Sequence, residues 1–191
     1  EMAELISFAP IPLGDNLPWL LQDGEEAPTW ESLLGKVVIV QSFTNASSDA
    51  RMAVSTVTKT LKHTNSSNEV ALVLIHTPED YEKAEAYCKR KRIKSPTIID
   101  STGAICNTIG FYKDPTNILI DKNGRVRHVG LRVKSMTEAV NTLLEEPYNP
   151  ELKAEAFPLP ENTERNPVVF PKHNPGLPYA KDIQGKSAPE F

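Results

Sequence analysis

Cysteine is scarce in this chain, because only two of its 191 residues are cysteine. Cys88 and Cys106 lie far apart in the sequence and form no Cys-x-x-Cys pair. Two such thiols exclude the disulfide framework that is typical of small secreted domains. We expect both to be small, partly buried hydrophobic side chains, as free cysteines usually are.

Long apolar runs and a strong excess of charge are also missing. No run approaches the ~20 apolar residues that cross a bilayer, so we expect no transmembrane segment in this chain. The formal net charge is only -4, which argues against a nucleic-acid partner, since nucleic-acid binders need a strong basic field. Residues 1–20 lack the pattern of a signal peptide, and the sequence leaves open whether a leader precedes Glu1.

Metal-ligand spacing is likewise absent from the sequence. The histidines His63, His128 and His173 form no pattern with one another, or with the two cysteines, that matches a metal site. We therefore predict no metal site, and we expect no cofactor, because no motif in the chain requires one.

Two β-branched runs, residues 36–43 and 69–76, are too apolar for surface strands and predict central strands of a sheet. Between them, residues 49–62 have apolar side chains at helical spacing and predict an amphipathic helix. A second helix is predicted over residues 77–92, because Thr77 is a typical N-cap and acidic residues follow it in the first turn.

The helix predicted over residues 77–92 ends in a basic run, Lys89 to Arg92. Such a run suits a helix C-terminus, because cations there interact favourably with the helix dipole. A phosphate-binding patch is the alternative, and we favour the solvated helix end.

The later part of the domain ends in a hairpin and a helix. Asn123-Gly124 between two β-branched runs is a strong signal for a β-hairpin. Ser135, with Glu138 three residues on, forms a capping box that opens the last helix. Strand-helix alternation followed by a hairpin and a helix predicts an α/β fold with a central mixed sheet and helices on both faces.

Residues 147–191 differ from the rest of the chain in composition. They contain nine of the sixteen prolines and show no apolar periodicity. Such a segment cannot build a core of its own. We therefore predict a domain over residues 1–146 and a Pro-rich C-terminal tail over residues 147–191.

The stretch "SFTNASSDARM", residues 42–52, joins the first central strand to the first helix. Several enzyme families place a nucleophile at such a turn. Ser47 is best interpreted as a helix N-cap, because serine is among the preferred caps. A hydrolase-like set of Ser47, His76 and Asp49 is a weaker alternative, since a triad is recognised only by its geometry. His76 otherwise ends the second strand, on the side where such folds bind ligands.

Three segments together resemble the redoxin branch of the thioredoxin-like proteins: "LLGKVVIVQSF", "SPTIIDSTGAICNTIGF" and "DPTNILIDKNGRVRHVG". That branch includes alkyl hydroperoxide reductase-like proteins and periplasmic thiol-disulfide oxidoreductases. The resemblance covers about residues 17–145 and implies a thioredoxin-like fold with the Pro-rich tail as an extension. It also implies a periplasmic or other extracytoplasmic location.

The chain departs from this family at its redox motif. If Arg51 is aligned with the basic residue that follows the family's Cys-x-x-Cys, Ser47 and Ala50 occupy the two cysteine positions. A serine hydroxyl stays protonated without an adjacent base, and alanine cannot resolve a mixed disulfide. The resemblance therefore implies an oxidoreductase ancestry without redox activity. An active oxidoreductase whose cysteines were replaced in this chain is the alternative.

The resemblance also implies that Pro115, preceded by Asp114, is the family's cis-proline and lies beside the turn, whereas Pro96 is trans. In related proteins the backbone beside this proline pairs with the extended chain of a partner. We therefore expect a crevice that binds a protein or peptide, with the oligomeric state left open. Its predicted residues are Phe43, Ser48, Asp49, Arg51, His76, Asp114, Pro115 and Thr116.

Overall fold

The computed structural model describes residues 8–10, 12, 16–63, 68–111 and 115–156. Strands and helices alternate within these ranges, as the sequence predicts. The strands are β1 (Trp19–Leu20), β2 (Val37–Phe43), β3 (Val70–His76), β4 (Thr97–Ile99), β5 (Asn117–Ile120) and β6 (Val126–Val129). The helices are α1 (Ser48–His63), α2 (Ala84–Lys91), α3 (Ala104–Ile109) and α4 (Val133–Glu145).

The strands form one mixed sheet in the described part of the chain, in the order β1-β4-β3-β2-β5-β6. The three central strands, β4, β3 and β2, are parallel to one another. Strands β5 and β6 form the antiparallel hairpin that Asn123-Gly124 predicts, and β5 also pairs antiparallel with β2. The short strand β1 adds to β4 in the antiparallel direction.

Helices cover both faces of the sheet, which confirms the predicted architecture. Strand β2 is buried along its whole length, because alternate side chains enter different cores. On one face, Val37, Ile39 and Phe43 pack with residues of α1, α2 and α4. On the other face, Val38 and Val40 pack with α3 and with the segment that precedes β2.

The hairpin turn between β5 and β6 depends on Gly124 and Asp121. Gly124 has a φ of +76°, and a Cβ added there would lie 3.0 Å from Leu34 Cδ2, so other residues would be strained. Asp121 Oδ1 accepts the backbone N–H groups of Asn123 and Arg125. The short turn is thereby fixed, and so is the register of the last two strands.

Two predicted helix starts are wrong. Helix α2 begins at Ala84 and not near Thr77, because Asp80 adopts a left-handed conformation (φ 58°) and a 3₁₀ turn follows it. Helix α4 begins at Val133, before Ser135. The N–H of Ser135 bonds to the carbonyl of Arg132 at 2.8 Å, so Ser135 lies inside the first turn and is not its cap.

Described residues beyond 146 pack on the domain. The Asn149 N–H donates to Asn123 Oδ1 at 2.9 Å, in the hairpin turn. Glu155 pairs with Phe8 in an isolated β-bridge, and its carbonyl accepts the N–H of Ala9 at 2.8 Å. The start of the predicted tail is therefore bonded to both the hairpin and the N-terminal segment.

Candidate functional site

The turn between β2 and α1 lies at the carboxyl edge of the parallel strands. Strands β2 and β3 are paired in register, so that Phe43 is opposite His76. The residues that follow β2 therefore meet the end of β3, at the edge where open α/β sheets usually bind ligands. The turn itself comprises residues 44–47 and leads directly into α1.

Ser47 caps helix α1, as the sequence predicts. Its Oγ accepts the N–H of Ala50 at 3.3 Å, and its carbonyl accepts the N–H of Arg51 at 3.1 Å. Ala50 is only 1% exposed and packs in the core, whereas Ser48 and Asp49 are exposed at the helix start. Ser47 and Ala50 thus flank the first helical turn, one at its cap and one beneath it.

Side chains on both sides hold the turn in place. Thr44 Oγ1 donates to the carbonyl of Glu79 at 2.9 Å and accepts the N–H of Ala46 at 3.1 Å. Arg51 Nη1 donates to the carbonyl of Asn45 at 2.6 Å. These bonds satisfy backbone groups at the helix start and tie the turn both to the segment after β3 and to the helix that it opens.

His76 is completely buried beneath this turn. Its Nδ1 lies 2.7 Å from the carbonyl of Thr77, which can only accept, so Nδ1 carries a proton. In the neutral ring, Nε2 accepts the N–H of Asn45 at 3.1 Å. Desolvation by burial lowers the pKa of His76. The bond to the Thr77 carbonyl and the charges of Asp80 and Glu79 raise the pKa by less. The neutral ring is therefore the favoured form.

Asn45 Oδ1 also lies 3.0 Å from His76 Nε2. This contact is a hydrogen bond only when Nε2 is protonated, because the amide oxygen and an unprotonated ring nitrogen are both acceptors. Protonation would therefore remove the acceptor of the Asn45 N–H. The geometry of the turn is linked to the charge of one buried ring.

The hydrolase-like pair of Ser47 and His76 is not formed. Both ring nitrogens of His76 are bonded to Asn45 and Thr77, and Ser47 Oγ accepts an N–H of its own helix. The buried ring instead packs edge-on against Phe43, with the ring centroids 4.9 Å apart. The predicted site residues Phe43 and His76 thus support the turn from behind.

A groove of about 490 Å³ lies beside the start of α1. Asp49 and Pro115, two of the predicted crevice residues, line it together. Met52, Leu131 and Arg132 also line it, and sequence reasoning missed all three. Met52 is 61% exposed, although the sequence pattern counts it among the apolar positions of the predicted amphipathic helix.

Gln41 lies in the wall of the same groove. Its Nε2 donates to the carbonyls of Ser42 and Thr116, each at 2.9 Å, which fixes the orientation of the amide. Its Oε1 is buried and, among the residues that the structure describes, has no hydrogen-bond partner. A buried acceptor without a partner is costly to stability.

The backbone after Pro115 is already used within the sheet. The N–H of Thr116 donates to Ser42 Oγ at 2.9 Å, and its carbonyl accepts the N–H of Ser42 at 2.9 Å. Thr116 therefore has no free donor for an added strand. Asp114 and its bond to Pro115 lie outside the described residues, whereas the bond before Pro96 is trans, as expected.

Comparison with known proteins gives solved structures only, since no family model and no curated protein matches the chain. A thioredoxin-like superfamily protein is 21% identical with a TM-score of 0.61, over 76% of this chain and 99% of that chain. A thiol-disulfide isomerase from Corynebacterium glutamicum is 23% identical with a TM-score of 0.54, over 70% and 99%. The exposed lipoprotein thioredoxin Etrx1 of Streptococcus pneumoniae is 15% identical with a TM-score of 0.50, over 60% and 90%.

The chain has a thioredoxin-like fold. The similar structures include a thioredoxin-like superfamily protein and a thiol-disulfide isomerase, and structural similarity at identities this low shows the fold alone. In the thioredoxin-like frame, the turn at residues 44–47, the start of α1 and the segment from Pro115 surround one edge of the sheet. The site residues predicted from the sequence fall into two groups. Asp49 and Pro115 line the groove. Phe43, Arg51 and His76 support the turn.

Neither metal nor membrane features occur in the described ranges of this thioredoxin-like chain. No group of three or more His, Cys, Asp or Glu side chains is placed to hold a metal ion there. No helix of those ranges is long and apolar enough to cross a membrane.

Proposed function

We propose that this chain is a thioredoxin-like protein of thiol-disulfide oxidoreductase ancestry that binds an extended peptide or protein segment without redox chemistry of its own. The observation that carries this proposal is the groove that Asp49, Met52 and Pro115 line together beside the start of α1. It adjoins the turn at which Ser47 and Ala50 occupy the positions aligned with the family's cysteines.

The lack of redox activity follows from the chemistry of these two side chains. A cysteine at a helix N-terminus attacks as a thiolate, because the helix dipole and free N–H groups lower its pKa. Ser47 provides only a hydroxyl, and that oxygen accepts the Ala50 N–H as a cap. Within the described residues Ser47 Oγ has no bond to a base, and both nitrogens of His76 are engaged elsewhere. Ala50 has no group that could form or resolve a disulfide.

The groove supports peptide binding through its side chains. Met52 and Leu131 provide apolar surface, and Asp49 and Arg132 provide opposite charges. A segment bound here would be held by apolar contact and a few polar groups, because the backbone of Thr116 is paired with β2.

Insulin B chain, reduced and S-alkylated so that it is extended and free of thiols, is a suitable probe. We expect it to bind saturably to the full chain in a calorimetric titration. Burying a Met side chain contributes about 1.5–3 kcal/mol, so the substitution Met52→Asp should weaken binding by about tenfold or more. Leu152→Asp is the matched control, because Leu152 is a 50% exposed apolar residue outside the groove.

Two results would reject the peptide-binding role. One is the absence of saturable binding by the chain itself. The other is equal weakening by Met52→Asp and Leu152→Asp, since that would place the probe on general apolar surface. Changes in the amide signals of Gly130 and Leu131 on addition of the probe would locate the contact in the groove.

The same turn also fits the alternative of an active oxidoreductase whose two cysteines are replaced in this chain. Ser47 at the cap and buried Ala50 beneath the first turn are positions at which two thiols would lie close together. The natural gene sequence distinguishes the two possibilities directly, because it either encodes cysteine at both positions or does not.

We also propose an extracytoplasmic location. The support is the likeness to an exposed lipoprotein thioredoxin, together with the redoxin-like segments of the sequence. Fractionation of cells that express the natural gene tests this, and recovery of the protein with cytoplasmic markers would refute it.

A further inference from the structure

A pocket of about 670 Å³ between α1 and the C-terminal end of α2 is strongly basic. No carboxylate lines it among the residues that the structure describes. Five of its lining residues are cations: Arg51, Lys62, Lys91, Arg92 and Lys94. The whole chain carries a formal charge of -4, so this cluster does not reflect a generally basic surface.

The cations come from separate elements that the fold brings together. Arg51 and Lys62 belong to α1, Lys91 ends α2, and Lys94 follows it. Favourable interaction with the dipole of α2 accounts for cations in its own last turn. It does not account for Lys62 or Lys94, which lie outside that helix and face the same cavity.

These charges are not neutralised within the described residues. Lys62, Lys91, Arg92 and Lys94 take part in none of the ion pairs found there. Asp23 lines the neighbouring groove with Arg92 and Lys94 but forms no ion pair with either. Like charges gathered around one cavity repel one another and create a positive potential that attracts anions.

Arg92 is held in a conformation that disfavours it. It is the C-cap of α2 with φ 54° and ψ 42°, in the left-handed region where helices usually place glycine. Its N–H still closes the helix by bonding to the carbonyls of Cys88 and Lys89. An arginine at this position costs stability relative to glycine.

The rest of the lining suits a phosphate-rich ligand of modest size. Ser55, Thr58, Tyr87 and Ser95 also line the pocket, and each carries a hydroxyl group. The cavity volume is that of a small-molecule site. Arginine binds phosphate oxygens through two parallel hydrogen bonds, and lysine binds them as a mobile point charge.

We propose that this pocket binds a small molecule that carries two or more linked phosphate groups. Arg92, Lys91 and Lys94 would contact the phosphates from the α2 side, and Lys62 from α1. The basic pocket can bind such an anion whether or not the groove beside Pro115 binds a peptide.

Inorganic pyrophosphate is the test probe, titrated calorimetrically into the full chain at low and at physiological ionic strength. We expect one saturable site that prefers pyrophosphate to orthophosphate and weakens as salt is added. Arg92→Gly should weaken binding by about tenfold, as expected for loss of a charge-assisted contact. The same variant should unfold at an equal or higher temperature than the parent, because glycine relieves the left-handed strain.

Lys134→Gln is the matched control, because it removes one exposed cation from α4, away from the pocket. It should leave pyrophosphate binding unchanged. Equal weakening by Lys134→Gln and Arg92→Gly would mean a diffuse charge effect and would overturn the proposal. Absence of saturable pyrophosphate binding would also overturn it, as would binding to heparin or RNA alone, since that would identify a surface for polyanionic macromolecules.

Discussion

His76 Nε2 lies 3.1 Å from the backbone nitrogen of Asn45, so a buried ring at the end of β3 holds the turn that opens α1. The ring cannot take up a proton without giving up this bond, because its other nitrogen already donates to Thr77. The candidate site is therefore stabilised by a group whose protonation would disrupt the turn at acidic pH.

The first prediction concerns pH. Burial lowers the pKa of His76 below its ordinary 6.5, so the unfolded chain binds a proton at a pH where the folded chain does not. Stability is then complete above about pH 6.5 and falls as the pH drops toward the folded pKa. His76→Gln lacks this titration. Urea unfolding from pH 7.5 to 5 should show a steeper loss for the parent, and parallel curves would contradict the assignment.

The second prediction concerns the cap of α1. Ser47→Ala removes the acceptor of the Ala50 N–H and should lower the free energy of unfolding by about 0.5–1 kcal/mol. Ser48→Ala is the control, because Ser48 is exposed and its Oγ reaches only Asp49, at 3.5 Å. Urea denaturation measures both variants. If Ser48→Ala costs as much as Ser47→Ala, then Ser47 is not the cap.

The third prediction concerns the boundary of the domain. A chain ended after Glu146 loses the bonds of Asn149 to Asn123 and of Glu155 to Ala9, whereas a chain ended after Ala156 keeps them. Both should fold, because the core lies within the sheet and its helices. The shorter chain should melt at a lower temperature than the longer one. Identical melting temperatures would show that residues 147–156 add nothing to stability.

Sequence patterns predicted the sheet well because its signals are strong and local. The runs that became β2 and β3 are predominantly apolar, and Asn123-Gly124 specifies a hairpin. The cap at Ser47 was also predicted correctly. The cap signals failed at Thr77 and Ser135. A left-handed Asp80 delays the start of α2, and α4 begins after the extended Arg132, before Ser135.

Neither the groove beside the start of α1 nor the basic pocket could be predicted from the sequence. Met52 and Leu131 are distant in the chain, and only the pairing of β2 with β5 brings their elements together. Lys62 and Lys94 likewise meet only because α1 and α2 pack on one face of the sheet. Spacing along the sequence cannot predict such contacts between elements. It does reveal the basic run at the end of α2, because those residues are contiguous.

The fourth prediction concerns the two native thiols. Burial raises the pKa of Cys88 to about 11, and burial with a hydrogen bond to Asp100 raises that of Cys106 to about 12. Alkylation by iodoacetamide at pH 8 should therefore be on the order of a hundredfold slower in the folded chain than in urea, where thiols have ordinary pKa values. Rapid alkylation of either thiol in the folded chain would show that it is accessible and reactive.

The double substitution Ser47→Cys with Ala50→Cys tests most directly the proposal that this turn derives from a redox site. The parent should not reduce insulin disulfides above background, because it has no thiol at either position.

In the double variant we expect a first thiol with a pKa below the ~8.5 of a free cysteine, measured by alkylation rate against pH. Leu152→Cys, exposed and outside α1, is the control for an ordinary thiol. We also expect an intramolecular disulfide on mild oxidation, since two cysteines that flank the first turn of a helix lie within bonding reach. An ordinary pKa together with no disulfide in the double variant would show that this turn was never a redox site.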